Sequence, residues 1–177
     1  MTQMIEGNVP GLYIFHRAEE IGGVGSKHIA LHNKALLEGV HFAVAFDRYG
    51  KTSIITHQMW DRCCSDDFAA SLGKELGMGH VKDDGGTFTD TANYTDDIAE
   101  CTNLSVGYKS QHSSQETLDS RYLFELRDAM MDFNYKNLTE SRKAGDVERK
   151  VYTYSGGENW WGDFWDSKES LFFLKIL

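Results

Sequence analysis

Three segments of the chain carry apolar residues at helical spacing. The clearest is 118–133. The second is 65–76, where Ser65 is suited to cap the first turn and two aspartates follow it. The third is 26–38, which has apolar and polar faces and stops before Gly39. We predict a helix over each. The apolar stripe of 118–133 consists of Leu118, Tyr122, Leu123, Leu126, Met130 and Phe133, and that of 65–76 of Phe68, Ala69, Leu72 and Leu76.

Short apolar runs predict strands at 11–15, 42–46, 53–56 and 103–106. The run 42–46 contains no polar residue, which predicts a fully buried strand ending at Asp47. The turn-like segment 47–51 predicts a hairpin to the next strand, and the glycine- and threonine-rich segment 83–90 predicts a loop. Because strands alternate with helices, we predict an α/β fold in which helices flank a mixed sheet.

The C-terminal part of the chain differs from residues 1–133, which we predict to form one domain. Residues 134–177 are predicted to be a linker and an aromatic extension. Within them, 134–150 is polar, 151–154 has strand character, and 156–165 places three tryptophans among glycines. Such aromatic density needs a surface to bury against, so this extension predicts an interface and an oligomer.

Composition narrows the class of protein. The 177 residues suffice for one domain with a core, and a net charge of -9 argues against nucleic acid or an anionic membrane as partner. No apolar run is long enough to span a bilayer, and residues 1–10 lack the pattern of a signal peptide. The three cysteines cannot all pair with one another, which predicts free thiols and a cytoplasmic location.

Candidate chemistry begins at two adjacent carboxylates, Glu19 and Glu20, which follow the predicted strand 11–15. Side chains alternate along an extended segment, so the two should point in different directions. Gly22, Gly23 and Gly25 then allow a sharp bend close by. A hydrolytic metal site needs such an arrangement, with one carboxylate on the ion and its neighbour acting as general base.

Further polar residues follow other predicted strands. Asp47 ends the run 42–46, a polar loop covers 85–91, and His112 lies beyond the strand 103–106. Ligand sites of α/β sheets gather at the carboxyl ends of strands, so we expect these groups to converge. A glutamate, an aspartate and a histidine together can bind a divalent metal through oxygen and nitrogen.

The order of these motifs resembles the co-catalytic zinc peptidases, the clan of peptidase T, the zinc aminopeptidases and related dipeptidases and deacylases. The motifs are Glu-Glu-x-Gly-Gly-x-Gly, strand-Asp, Gly-Gly-Thr and Asn-Leu-x-x-Gly-x-x-x-x-His-x-x-x-Glu, between about residues 12 and 133. The resemblance implies zinc as cofactor, peptide bonds as substrate, and Glu19 as the general acid/base. It also implies Glu20 and His112 as ligands of one zinc, Asp47 as a ligand of the second, and a substrate cleft lined by Gly86, Thr87 and Asp90.

The chain departs from that pattern before the glutamate pair. Residues 1–10 contain no His-x-Asp motif and no bridging aspartate, so the chain looks like the C-terminal part of such an enzyme. We therefore expect at most one zinc on this chain alone, and a complementing chain that supplies the missing ligands. Two other hypotheses remain. One is an inactive descendant that serves as a binding or assembly module, and the other is a single-metal hydrolase that uses Glu20, His112 and a recruited ligand.

Overall fold

A computed structural model describes residues 1–148, and the strand expected at 151–154 and the tryptophan cluster lie outside this part. The described helices are α1 (Thr2–Glu6), α2 (Val24–His32), α3 (Asp66–Leu76) and α4 (Ser120–Met131), with 3₁₀ turns at Lys34–Leu36, Asp90–Tyr94 and Tyr135–Asn137. The strands are β1 (Phe42–Arg48), β2 (Ser53–Ile55), β3 (His57–Gln58), β4 (Asp61–Arg62), β5 (Val81–Asp83), β6 (Glu100–Ser105), β7 (Tyr108–Lys109) and β8 (Thr117–Leu118).

The central sheet has the strand order β1-β6-β2-β5 and is mixed. Strand β6 runs parallel to β1 and antiparallel to β2, and β2 is parallel to β5. All six residues of β6 are buried, as expected of a central strand. The predicted α/β class, with a mixed sheet and helices, is therefore confirmed.

Helices α3 and α4 confirm two of the helix predictions. Ser65 caps α3 by accepting a hydrogen bond from Phe68 N, and Asp119 caps α4 by accepting one from Tyr122 N. Each cap satisfies a backbone donor that the first helical turn leaves without a partner. The buried residues of the two stripes are Phe68, Ala69, Leu72 and Leu76 in α3, and Tyr122, Leu126 and Met130 in α4.

The third helix prediction, 26–38, is correct only in part. Helix α2 starts earlier, at Val24, and ends at His32, after which Asn33 leaves the helical region with φ −134°. The chain continues in a single 3₁₀ turn, Lys34–Leu36, before Gly39. The polar residues 32–34 interrupt the apolar face, and the next buried apolar residue, Leu37, comes after the 3₁₀ turn.

One strand prediction and the hairpin prediction are wrong, and a second strand prediction is only partly correct. Segment 11–15 is not a strand, and Phe15 is 65% exposed, because no neighbouring strand hydrogen-bonds to it. The hairpin predicted at 47–51 does not form, since β6 lies between β1 and β2. Strand β1 does form, but its apolar residues are half-buried rather than fully buried because β1 is an edge strand.

The segment after α4 packs back onto the domain through a buried glutamate. Glu100, fully buried in β6, accepts hydrogen bonds from Ser65 N (2.6 Å) and Ser65 Oγ (2.7 Å) at the start of α3. The same carboxylate accepts bonds from Ser141 N and Arg142 N, each at 2.9 Å. The Arg142 guanidinium in turn donates to backbone carbonyls, among them that of Ala99 at 2.7 Å. These bonds attach the segment around 141–142 to the central strand.

None of the helices within residues 1–148 combines the length and apolar character needed to cross a membrane.

Candidate active site

The glutamate pair lies in a tight turn rather than at the end of a strand. Gly22 N and Gly23 N both donate to the carbonyl of Glu19 at 2.9 Å, and both glycines have positive φ, +94° and +66°. Gly25 lies so close to Arg17 that a Cβ there would stand 2.9 Å from Arg17 N. The bend predicted from the glycines is therefore present, and two of its positions strongly favour glycine.

Glu20 and His112 lie close together. His112 Nδ1 lies 3.8 Å from Glu20 Oε2, and both side chains are largely exposed, at 70% and 75%. His112 has φ +59°, an uncommon value for a residue with a Cβ, and its N–H donates to Glu116 Oε2 at 3.1 Å. The turn after β7 thus holds this histidine in a strained conformation beside the glutamate loop.

Asp47 lies at the carboxyl end of β1, beside the carboxyl end of the parallel strand β6. Its N–H donates to Asn103 Oδ1 at 3.0 Å, and its carboxylate accepts a long hydrogen bond from Thr89 Oγ1 at 3.4 Å. The loop that carries His112 leaves the sheet at this same end, after β6. This is the edge at which α/β sheets gather their ligand sites.

Electrostatic coupling links these groups into one acidic cluster, Glu19, Glu20, Asp47 and Asp90 with His112. Desolvation, and then the charges of Asp47, Glu20 and Asp90, raise the pKa of Glu19 to about 7. Partial desolvation also raises the pKa of Asp47, although a hydrogen bond from Thr89 opposes this. In both cases His112 lowers the pKa. A carboxyl group with a pKa near 7 can accept and return a proton at neutral pH.

Asp90 belongs to the cluster but is buried, with only 8% of the residue exposed. One oxygen, Oδ1, accepts a 2.5 Å hydrogen bond from Ser26 Oγ, and the other, Oδ2, lies 3.2 Å from His16 Nδ1. His16 Nε2 is in turn 2.5 Å from the hydroxyl of Tyr94. His16 and Ser26 were not predicted from the sequence to belong to the site. Their positions just before and just after the loop that carries the two glutamates could have indicated it.

Gly86 and Thr87 occupy different environments from Asp90. Gly86 forms a parallel bridge with Gln58, and a Cβ there would lie 2.2 Å from the carbonyl oxygen of His57. The absence of a side chain at Gly86 is therefore required by backbone packing. Thr87 is exposed on the same loop. Phe88, the next residue, reaches the glutamate loop, because a Cβ on Gly23 would lie 2.7 Å from its ring.

The cluster has the types of donor atom that bind zinc, but too few of them are arranged around one point. Carboxylate oxygen and imidazole nitrogen are ordinary zinc ligands, and a firm site uses three or four protein ligands. Within residues 1–148, no three histidine, cysteine, aspartate or glutamate side chains are arranged to hold a metal ion. Of the ligands that the sequence resemblance implies, Glu20 and His112 lie close to each other, at 3.8 Å.

Two cavities, of about 270 and 450 Å³, open elsewhere on the surface. The larger is lined by residues of β2 and β5 and by Arg62 and Asp66, and neither cavity is lined by Glu19, Glu20, Asp47 or His112. Glu20 and His112 are largely exposed, so that part of the cluster is open to solvent.

Comparisons with known proteins return no relative. No protein-family model matches the chain, and neither a curated protein nor a solved structure is similar to it.

Proposed function

We propose that this chain carries the general base and part of the metal ligands of a hydrolase that cleaves peptide bonds, of the aminopeptidase or dipeptidase type. The roles are those that the sequence resemblance implies. Glu19 moves the proton, Glu20 and His112 bind one zinc ion, and Asp47 contributes to a second. The sandwich architecture of the co-catalytic zinc peptidases is part of the same proposal.

One observation carries the proposal. Glu20 and His112 lie on loops far apart in the sequence, yet their side chains approach to 3.8 Å. Asp47, from the end of β1, is near enough for its charge to raise the pKa of Glu19. Two residues of the motif order, Glu20 and His112, therefore lie close together, and carboxylate and imidazole are donor types that zinc accepts.

Glu19 is the best candidate for proton transfer. Its carboxyl group is partly desolvated and surrounded by like charges, which together raise its pKa to about 7. Glu20, next to it, is exposed and directed toward His112. The two neighbours thus occupy different environments, as a division into proton carrier and ligand requires.

The metal site is completed by ligands from outside the described residues, supplied by a complementing chain. This accounts for the shortage of ligands within residues 1–148. It gives the chain a peptide substrate and a protein partner. We place it in the cytoplasm, since Cys63, Cys64 and Cys101 are buried free thiols.

A second candidate function is an inactive descendant that serves as a binding or assembly module. The contact between Glu20 and His112 is compatible with it, because a carboxylate and an imidazole can lie side by side without a metal. The lack of a three-ligand group in the described part of the chain favours it.

Zinc binding to the purified full chain separates the two candidates. We expect calorimetry to show at most one weakly bound zinc per chain, and a Glu20→Gln or His112→Gln substitution to weaken it at least about tenfold. His41→Gln is the matched control, because His41 forms another exposed pair, with Glu140 at 2.8 Å. Equal zinc binding in all four proteins would support the inactive module.

Hydrolysis is tested with a panel of dipeptides and aminoacyl anilides. The chain is assayed alone and after mixing with a polypeptide that carries a His-x-Asp motif and a strand-Asp-Asp segment. We expect the chain alone to cleave these substrates slowly or not at all, and the mixture with the second polypeptide to cleave them. If no such mixture cleaves any substrate while zinc binds normally, the peptidase proposal is wrong.

A further inference from the structure

The geometry assigns Asp90 the role of a positioning residue that ties together both ends of the loop carrying Glu19 and Glu20. The catalytic consequence of this assignment rests on the function proposed above. The structural part does not, because it concerns only contacts within the chain.

The loop is bounded by His16 on one side and Ser26 on the other, and both bind the same carboxylate. His16 Nδ1 lies 3.2 Å from Asp90 Oδ2, and Ser26 Oγ lies 2.5 Å from Asp90 Oδ1. The side chains of His16 and Asp90 are only 14% and 12% exposed. A carboxylate with each oxygen on a different end of one loop holds those ends at a fixed separation.

The hydrogens of this network have a consistent arrangement. Ser26 has one hydroxyl hydrogen and two nearby acceptors, the Asp90 carboxylate at 2.5 Å and the Gly23 carbonyl at 3.0 Å. The Ser26 hydroxyl donates to the Asp90 carboxylate, because this acceptor is closer and charged. Asn93 Nδ2 donates to Ser26 Oγ at 2.8 Å. A proton on His16 Nδ1 is directed at Asp90, which leaves Nε2 to accept from the Tyr94 hydroxyl.

The segment of Asp90 also connects the glutamate loop with Asp47. The preceding residue, Thr89, donates to the Asp47 carboxylate at 3.4 Å. Two adjacent residues therefore contact the two halves of the acidic cluster. Within the loop, Ala18 has φ +60°, a conformation that costs an alanine about 1 kcal/mol and that a tether at both ends helps to hold.

This role differs from the substrate contact that the sequence resemblance implies for Asp90. Both carboxylate oxygens are occupied by protein donors, and the residue is buried. Its burial and these two donors leave little of the carboxylate accessible to a substrate group. The Asp90 charge still acts on the cluster, since it raises the pKa of Glu19.

Amide hydrogen exchange in the full chain tests the tether directly. We expect Asp90→Ala to speed exchange at Gly22, Gly23 and Gly25 about tenfold, the effect of losing a hydrogen bond of about 1.4 kcal/mol, while the amides of α3 stay unchanged. Asp96→Ala, at an exposed aspartate six residues further on, is the control and should change neither. Unchanged exchange in the loop of a folded Asp90→Ala protein would overturn the assignment.

A double-mutant comparison distinguishes loss of the tether from a general loss of stability. Ser26→Ala should speed loop exchange in the wild-type background but add less than about twofold to Asp90→Ala, because the tether is then already lost. Asp90→Asn keeps an acceptor for Ser26 and should fall between wild type and Asp90→Ala. An effect of Ser26→Ala of the same size in both backgrounds would contradict the proposal.

Kinetics then separate this inference from the proposed function. In a complemented enzyme that cleaves peptides, Asp90→Ala should lower kcat by up to about 100-fold and leave KM nearly unchanged, because the proton carrier is misplaced. A rise in KM at constant kcat would show a substrate contact instead. If the wild-type mixture is inactive, the proposed function fails, whereas the exchange data still decide the role of Asp90.

Discussion

Glu20 Oε2 lies 3.8 Å from His112 Nδ1. In the sequence the two residues are far apart, because Glu20 precedes the first strand of the central sheet and His112 follows the last one. Both side chains are mostly exposed, so the pair contributes little to stability, with a typical value below about 1 kcal/mol. His112 nevertheless adopts a left-handed conformation. The contact therefore adds little to the folding stability of the chain.

Substitution of Glu19 and of Glu20 should have different effects on hydrolysis and on zinc affinity. In a complemented, active enzyme we expect Glu19→Gln to abolish hydrolysis and leave zinc affinity largely intact, because Glu19 carries the proton and Glu20 the ion. Glu20→Gln should reduce both. The check is kcat from peptide cleavage together with zinc affinity from calorimetry on the same preparations. Equal loss of zinc affinity in the two variants would contradict this division.

Folding stability should depend on the protonation of Glu19. Its pKa is raised in the folded chain from 4.5 to about 7, so the folded state binds the proton more tightly. Stability is therefore highest below the unfolded pKa and falls as the pH rises through 7. Glu19→Gln removes this dependence. We expect the variant to gain about 1 kcal/mol over wild type between pH 5 and 8, a figure reduced for solvent screening.

This pH dependence is checked by urea unfolding at several pH values. Glu116→Gln is the control, because it removes an exposed glutamate beside His112. A stability difference between Glu19→Gln and wild type that stays constant over this range would mean that Glu19 titrates normally.

Gly39 is a control for the effect of a side chain at Gly23 in the glutamate loop. Both have positive φ, so alanine costs about 1 kcal/mol at either position. A Cβ on Gly39 would meet nothing within 4 Å, whereas one on Gly23 would lie 2.7 Å from Asn93, Phe88 and Ser26. We expect Gly23→Ala to destabilise the chain by about 1–3 kcal/mol more than Gly39→Ala, measured by denaturant unfolding. Equal losses would show that the loop relaxes freely.

Glu100 should be far more sensitive than an exposed glutamate. Its buried carboxylate accepts four hydrogen bonds, and a glutamine would place an amide donor against at least one N–H group. We expect Glu100→Gln to cost about 2–4 kcal/mol of stability. Glu140→Gln, at an exposed position, is the control and should change stability by less than about 0.5 kcal/mol. A small effect at Glu100 would mean that water replaces the lost acceptor.

The cysteines should be chemically inert while the chain is folded. Burial raises the pKa of all three thiols, that of Cys63 to about 12, so little reactive thiolate is present at neutral pH. We expect a thiol reagent to label Cys63, Cys64 and Cys101 slowly in the native protein and quickly in denaturant. Fast labelling of the native chain would indicate that the region around Cys63 opens locally.

Helices were the most predictable part of this fold, because their signals are local. The stripes of α3 and α4, and the capping position of Ser65, can be read from neighbouring residues. Strand pairing is not local. The apolar run 11–15 has the composition of a strand but no hydrogen-bonding neighbour, and the hairpin failed because β6 lies between β1 and β2.

The same distinction applies to the candidate site. The glycine bend and the contact between Glu20 and His112 correspond to motifs visible in the sequence. The bonds of Asp90 to His16 and Ser26 do not, because they depend on the packing of the 3₁₀ turn Asp90–Tyr94 against α2. Whether Glu19, Glu20, Asp47 and His112 act together in hydrolysis remains a prediction for the experiments above.

The central position of β6 also determines when this chain can begin to fold during synthesis. Strands β1 and β2 are made first, but both pair with β6, which begins only at Glu100. Until β6 has left the ribosome, the apolar residues of β1 have no partner strand within the nascent chain. Such exposed segments are prone to aggregation and are typical chaperone targets. Expression yield of this chain is therefore expected to rise with added chaperone.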